Sequence, residues 1–368
     1  MTPLNCASFI ADSFKSSPNV RVSVEKDCQV MAQQFPLLHA VARCSLAVPR
    51  HWPCVVKLEY RSADPKAVRE NLFLVGKGVA YDTGGADIKA GGVMRGMSRD
   101  KCGASAVAGF MKTLSLLSPT NINVTAYLGL VRNSVGADSY VSDEIITSRA
   151  GVRCLIGNTD AEGRLVMCDL LARCKEEALV IPGSEMDGPA PARLFTVATL
   201  TGHAVRAVGP YACCLDNGPA REAGMANRIA RSGLLLADPI EITTLRREDY
   251  RFVALGSSAE DVVQANDKAS SATSRGHQFP MAFLAIASGL KQHGLDSAHP
   301  LCYTHLDIAG SAEESGSVGL SLPKVTGAPI PALTSAFIIN PELVFLDIKI
   351  SSDEKPLNRF KFIASFTI

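Results

Sequence analysis

Residues 75–103 read VGKGVAYDTGGADIKAGGVMRGMSRDKCG, and residues 158–165 read NTDAEGRL. Ahead of the first stretch, Asn71–Val75 is a short apolar run that predicts a buried strand feeding the glycine-rich segment Gly76–Gly92. After it, Gly103 to about Leu117 is small and apolar, as expected of a helix packed closely on a sheet. Both stretches set carboxylates into glycine-rich turns at predicted strand ends. Burying such charges is costly unless something positive meets them. Asp82, Asp100, Asp160 and Glu162 together balance two divalent cations in formal charge. Oxygen-rich ligation with some nitrogen suits Zn, Mn or Mg. A plainer reading exists for the second stretch, in which Asn158, Thr159 and Asp160 cap a helix and Glu162 is its first-turn acid.

Working outward, Thr2-Pro3 opens a helix running to about Phe14. Val20–Val24, Val55–Tyr60, Asn123–Leu130, Glu144–Thr147, Leu194–Ala198 and Cys302–Ile308 carry strand patterns. Glu162–Cys174, Pro219–Ser232 and Pro280–Leu290 read as helices. Strands alternating with helices predict an α/β fold: a mixed, mostly parallel central sheet with helices on both faces. The Ser/Ala/Asp-rich stretch Ser257–Arg275 is expected to be a long functional loop. Residues 1–340 are expected to form one catalytic domain, with 341–368 a tail of different character.

Bulk composition narrows the function classes. The 368-residue chain is 47% hydrophobic and 20% charged, which supplies a large core and excludes a disordered chain. Its net charge of +1 gives no basic footprint for nucleic acid. The 11 cysteines include no CxxC pair, so neither a zinc knuckle nor a redox motif can be built from them. No signal-peptide pattern opens the sequence and no apolar run is long enough to span a bilayer, so a reduced cytoplasmic protein without membrane association is expected. The GKG triplet lacks the spacing of a phosphate loop, and Tyr81 stands where GxGxxG needs its third glycine. HExxH and GxSxG are absent, and His203 and His305 are expected to be structural.

Taken together, VGKGVAYDTGG-ADIK, SRDKCGA, NTDAEGRL, ATLTG at Ala198–Gly202 and HLDIAG at His305–Gly310 resemble, in order, the motifs of the leucine aminopeptidase family of di-metal exopeptidases. The likeness covers about residues 2–335, corresponding to that family's catalytic domain without its N-terminal domain. In detail it is closer to the sparsely characterised aminopeptidase branch than to the leucyl enzymes. The resemblance implies the leucine aminopeptidase catalytic fold. It makes Lys77, Asp82, Asp100, Asp160 and Glu162 metal ligands, with Lys77 bound as a neutral amine. Lys89 is then the lysine that polarises the scissile carbonyl, and Arg164 the arginine holding a bicarbonate proton shuttle. Met97, Thr199, Gly202 and Ala309 fall where the family lines the pocket for the substrate's first side chain.

The implied activity is hydrolysis of the N-terminal residue from peptides with a free N-terminus, using two divalent metals: Zn or Mn, with Mg and Co as alternatives. A homo-oligomer, trimer or hexamer, is the implied assembly. The alternative is a catalytically weak homologue serving as an oligomeric scaffold or nucleic-acid-binding protein. Three departures from the family pattern bear on specificity. The usual NxDLM stretch reads Val93-Met94-Arg95-Gly96-Met97, which predicts a cation near the pocket in place of an acid. The usual DMGG reads Asp100-Lys101-Cys102-Gly103, one glycine fewer in a tight turn. VIPGSEMDGPAPA lengthens the connection between Cys174 and Leu194.

Overall fold

A computed structural model describes residues 2–254, 256–313 and 325–339; the 341–368 tail lies outside them. Eleven strands occur in chain order among the described residues. They are β1 Val20–Glu25, β2 Cys54–Tyr60, β3 Glu70–Asp82, β4 Ile122–Asn133, β5 Ile145–Thr147 and β6 Arg153–Leu155. There follow β7 Ala192–Ala198, β8 Ala212–Asp216, β9 Ile240–Thr244, β10 Val262–Val263 and β11 Cys302–Asp307. The α-helices are α1 Pro3–Ser13, α2 Cys28–Gln34, α3 Pro36–Ala42, α4 Cys102–Leu117, α5 Glu162–Leu179 and α6 Gly202–Val208. The second half adds α7 Gly218–Glu222, α8 Met225–Leu235, α9 Arg247–Phe252, α10 Phe279–Ala287 and α11 Ile330–Phe337.

Eight strands form the central sheet in the order β1-β2-β4-β3-β7-β11-β8-β9. The four adjacent strands β4, β3, β7 and β11 are parallel, and β8 and β9 pair in parallel at one edge. The remaining pairings, β1–β2, β2–β4 and β8–β11, are antiparallel. A fold that is mixed, mostly parallel and covered by helices is therefore what the sequence forms. The sheet separates two cores. One packs α3, α5 and α10 through Leu37, Leu38, Leu165, Leu170, Met281 and Phe283. The other packs α1, α4, α8 and α11 through Ile10, Phe110, Met111, Ile229 and Leu333.

Several elements differ from their sequence-based bounds. β3 does not stop at Val75 but continues through Gly-Lys-Gly to Asp82. Its glycines are the reason: a Cβ on Gly76 would stand 2.7 Å from the Ala104 backbone and one on Gly78 2.6 Å from the Gly129 carbonyl oxygen. Only a bare backbone can run between α4 and β4 there. The helix expected over Pro219–Ser232 is two helices, because Gly224 is left-handed with φ 67° between α7 and α8. Ser257–Arg275 is not all loop, since β10 pairs with β6 and Ser270–Ala272 makes a 3-10 turn. The glycine missing from DMGG costs no backbone strain. Asp100 and Lys101 have φ −69° and −105°, and Cys102 is the first residue of α4.

Candidate metal centre and substrate cavity

The parallel strands β3, β7 and β11 end on the same side of the sheet, at Asp82, Ala198 and Asp307. Open α/β sheets bind ligands in this crevice beyond the carboxyl ends of their strands. There lies a cavity of about 300 Å³ whose lining includes Lys77, Asp82, Lys89, Met97, Asp100, Asp160, Glu162, Arg164, Thr199, Gly202 and Ala309. All eleven candidate residues are thus brought into one cavity. Arg95, the cation expected near the pocket from the altered NxDLM stretch, is exposed and does not line the cavity; Arg99, two residues beyond that stretch, lines it instead, paired with Glu313 at 3.0 Å.

Lys77, in the middle of the extended β3, is 3% exposed. Its Nζ lies 2.7 Å from Asp100 Oδ1 and 2.9 Å from Glu162 Oε1, and donates to the Thr199 carbonyl at 3.0 Å. Asp82 ends the same strand and accepts from the Gly84 amide at 2.9 Å and the Asn133 amide group at 2.8 Å. Asp82, Asp100 and Glu162 offer oxygens that all lie within 4.8 Å of one another, and all three are buried. Asp100 also accepts from Thr199 Oγ1 at 2.9 Å, while its Oδ2 has no hydrogen-bond partner. A buried, orphaned carboxylate oxygen facing two further carboxylates fits a cation ligand set.

Asp160 stands slightly apart, with its side chain 30% exposed and bonded to the Lys89 ammonium, which also lies 3.0 Å from Asp82 Oδ2. Of the three residues in the helix-cap reading, Asn158 does the capping, its side chain accepting from the Asp160 amide at 2.7 Å, and Glu162 is the first-turn acid of α5. That leaves the Asp160 carboxylate aimed at Lys89 and the Glu162 carboxylate at Lys77. Four carboxylates face two ammonium groups, a formal excess of two negative charges at this end of the cavity.

The titration behaviour follows from this crowding. Burial, together with Glu162 and Asp82, pushes Asp160 up to about 7. Asp100 is driven well above the carboxylate range by burial, against the pull of Lys77. At Lys77 burial disfavours the ammonium, but Asp100, Glu162 and Asp82 outweigh it and hold the pKa above the usual lysine value. Lys89 behaves in the same way through Asp82, Glu162 and Asp160. Both lysines are thus charged in this carboxylate set. Neutral-amine ligation by Lys77 requires the reversal that a neighbouring divalent cation brings.

Arg164 is buried on α5, where its NH1 donates to the Gln264 carbonyl at 2.8 Å and its Nε has no partner. The guanidinium stacks over the Phe279 ring at 4.9 Å. Burial brings its pKa down to about 10. His203 and His305 take no part in the carboxylate cluster. His203 Nδ1 lies 2.7 Å from His277 Nδ1, and His305 Nδ1 lies 2.7 Å from Thr196 Oγ1.

Three positioning residues escaped the reading of the sequence. Asp87 accepts from the Thr159 amide at 2.7 Å while Thr159 Oγ1 accepts from the Asp87 amide at 2.8 Å, locking the lysine loop to the Asp160 loop. Gln264 Oε1 accepts from Gly157 and Asn158 amides at 3.1 Å, and its Nε2 donates to the Asn158 and Ala161 carbonyls at 2.9 Å. Asn133 bridges Asp82 and the Thr159 carbonyl. Asp87, beside Ile88 and Lys89, was visible as an acid in a glycine-rich turn. Nothing local marks Gln264 or Asn133.

Comparison with known proteins agrees with this geometry. Residues 1–334 match the cytosol aminopeptidase family, catalytic domain. The chain is 44% identical over 326 residues to "Putative aminopeptidase W07G4.4" of Caenorhabditis elegans, covering 89% of this chain and 60% of that protein. It is 31% identical over 324 residues to a "Probable cytosol aminopeptidase" of Persephonella marina, covering 88% of this chain and 57% of the relative. A Burkholderia ambifaria protein of the same name is 29% identical over 310 residues, 84% of this chain and 53% of the relative. The chain therefore spans little more than half the length of these relatives. Among its described residues no helix is long and apolar enough to cross a membrane. With the motifs, the sheet and the cavity in agreement, this chain belongs to the cytosol aminopeptidase family through its catalytic domain.

Proposed function

We propose that the chain is a metal-dependent aminopeptidase that removes the N-terminal residue from peptides carrying a free α-amine. The observation that carries this reading is the buried set Asp82, Asp100 and Glu162, with oxygens within 4.8 Å of one another and an orphaned Asp100 Oδ2. Lys77, Asp82, Asp100, Asp160 and Glu162 would hold two divalent cations, Zn or Mn, with Mg and Co as alternatives. Bound there, the cations would supply Lewis acidity toward the scissile carbonyl and lower the pKa of a water nucleophile from ~15.7 toward ~7.

The protein's own residues do the rest. Lys89 contacts Asp82 and Asp160 from the open side of the cluster, so its ammonium can meet a carbonyl oxygen as charge grows on it. Arg164 presents a buried guanidinium whose Nε lacks a partner, which suits a small anion such as bicarbonate serving as proton shuttle. Met97, Thr199, Gly202 and Ala309 wall the space for the substrate's first side chain. A cytoplasmic trimer or hexamer is the proposed assembly. The carboxylate set favours catalysis over the scaffold or nucleic-acid-binding alternative, which needs no buried ligand oxygens.

Metal content measured beside hydrolysis of aminoacyl fluorogenic amides tests the reading. Activity should vanish on chelation and return with Mn, Zn or Co, and N-acetylated peptides should resist. Full activity in metal-free protein would overturn it.

A further inference from the structure

The cavity has five cationic side chains in its lining, and four of them are engaged. Lys77 is bound by Asp100 and Glu162, Lys89 by Asp82 and Asp160, and Arg99 by Glu313. Arg164 is bonded to the Gln264 carbonyl and stacked on Phe279. Lys268 is the exception: it is exposed and has no hydrogen bond or ion pair among the described residues. The four carboxylates in the lining all sit at the metal-binding end, occupied by Lys77 and Lys89. Asp267, beside Lys268 in sequence, is exposed and does not line the cavity.

The segment carrying Lys268 is fastened to the wall proposed for the first side chain. Ser270 Oγ accepts from the Gly202 amide at 3.0 Å, and Arg206 NH1 donates to the Ser271 carbonyl at 3.0 Å. A Cβ on Gly202 would meet Ser271 Cβ at 3.3 Å, so helix α6 and this segment close on each other. Lys268 is thus a positive charge without an ion pair among the described residues at the rim of that pocket; it also borders the adjoining cavity that Glu248 and Asp249 line, and Asp249 is itself paired with Arg275 at 2.6 Å. We propose that Lys268 makes the pocket select peptides with an acidic N-terminal residue over those with a basic one. This rests on the aminopeptidase reading and on the side-chain pocket assigned with it.

The test is kcat/KM of the metal-loaded enzyme on glutamyl, leucyl and lysyl fluorogenic amides, for the wild-type protein, Lys268→Met and Lys268→Glu. Discrimination is read as a ratio, which cancels general losses of rate or fold. The glutamyl-to-lysyl ratio should exceed one in the wild type and fall by about tenfold or more in Lys268→Glu, with Lys268→Met between. Because Lys268 is exposed, the wild-type ratio should also shrink as salt is raised. A ratio unmoved by charge reversal, with leucyl amide still hydrolysed, would overturn the Lys268 assignment alone. Absence of hydrolysis of any amide would overturn the aminopeptidase reading and this proposal with it.

Discussion

Gly103 lies so close under the carbonyl of Val197 that a Cβ on it would stand 2.2 Å from that oxygen. The contact seats the first turn of α4 against the end of β7. Asp100, three residues before Gly103, thereby reaches Thr199, two residues after Val197, and the two side chains bond at 2.9 Å. Gly103→Ala should therefore cost roughly 1–3 kcal/mol through backbone displacement and weaken metal retention together with stability. Thermal melting with and without added metal checks this; wild-type melting in both conditions would contradict it.

Ligation and transition-state stabilisation should separate cleanly. Lys89→Ala should keep its metal while kcat falls by about 10²–10³, the usual cost of one lost oxyanion-stabilising group, with KM changing much less. In Asp160→Ala, by contrast, metal occupancy and activity should drop together. Were Asp160 merely a capping residue, its loss would cost about 0.5–2 kcal/mol of stability and leave metal untouched. Metal stoichiometry beside kcat for the two variants decides, and a metal-replete, active Asp160→Ala protein would remove Asp160 from the site.

How much of this was legible in the sequence depended on the range over which each residue acts. Lys77, Asp82 and Lys89 are set by the strand and turn that contain them, so a local motif suffices to find them. The end of β3 is not legible because Gly76 and Gly78 look like a turn in isolation, whereas their smallness serves α4 and β4 packing across them. Gln264 secures the Asn158–Ala161 turn from more than 100 residues away, a bond that no local pattern encodes. The cation supplied by Arg99 rather than Arg95 turns on Gly96, left-handed with φ 93°, which starts the 3-10 turn Met97–Arg99. Two charges four residues apart could not be told apart before that turn was known.

Arg164→Met should retain both metal and fold while losing part of the rate. The guanidinium contacts no carboxylate of the cluster; its bonds run to the Gln264 carbonyl and the Phe279 ring. Added bicarbonate should raise the rate of the wild-type enzyme and leave that of the variant unchanged. An equal bicarbonate response in both would dissociate Arg164 from the anion.

Stability should carry a pH dependence that originates in His305. Its Nδ1 is tied to Thr196 and its Nε2 is buried without a partner, so the imidazolium has nowhere to place its second proton. Burial, with His277 and Arg164 nearby, lowers its pKa to about 3, whereas an unfolded chain titrates it near ~6.5. As pH falls below ~6.5 the unfolded state takes up a proton that the folded state refuses, so this contribution is present above that pH and is lost progressively below it. At pH 5 the loss is about 2 kcal/mol relative to pH 8. His277, lowered to about 4 by burial, His203 and Arg275, acts in the same direction. Asp169, raised to about 7, and Asp238, raised to about 6, both by burial, act oppositely, because their folded forms hold protons that the unfolded chain releases. The net melting profile mixes these signs, but comparison with His305→Gln isolates one of them. The variant should be less stable than wild type at pH 8, and that gap should narrow by about 2 kcal/mol at pH 5. Denaturant melts at the two pH values measure it, and a constant gap would mean that His305 takes up its proton as readily in the folded protein as in the unfolded chain.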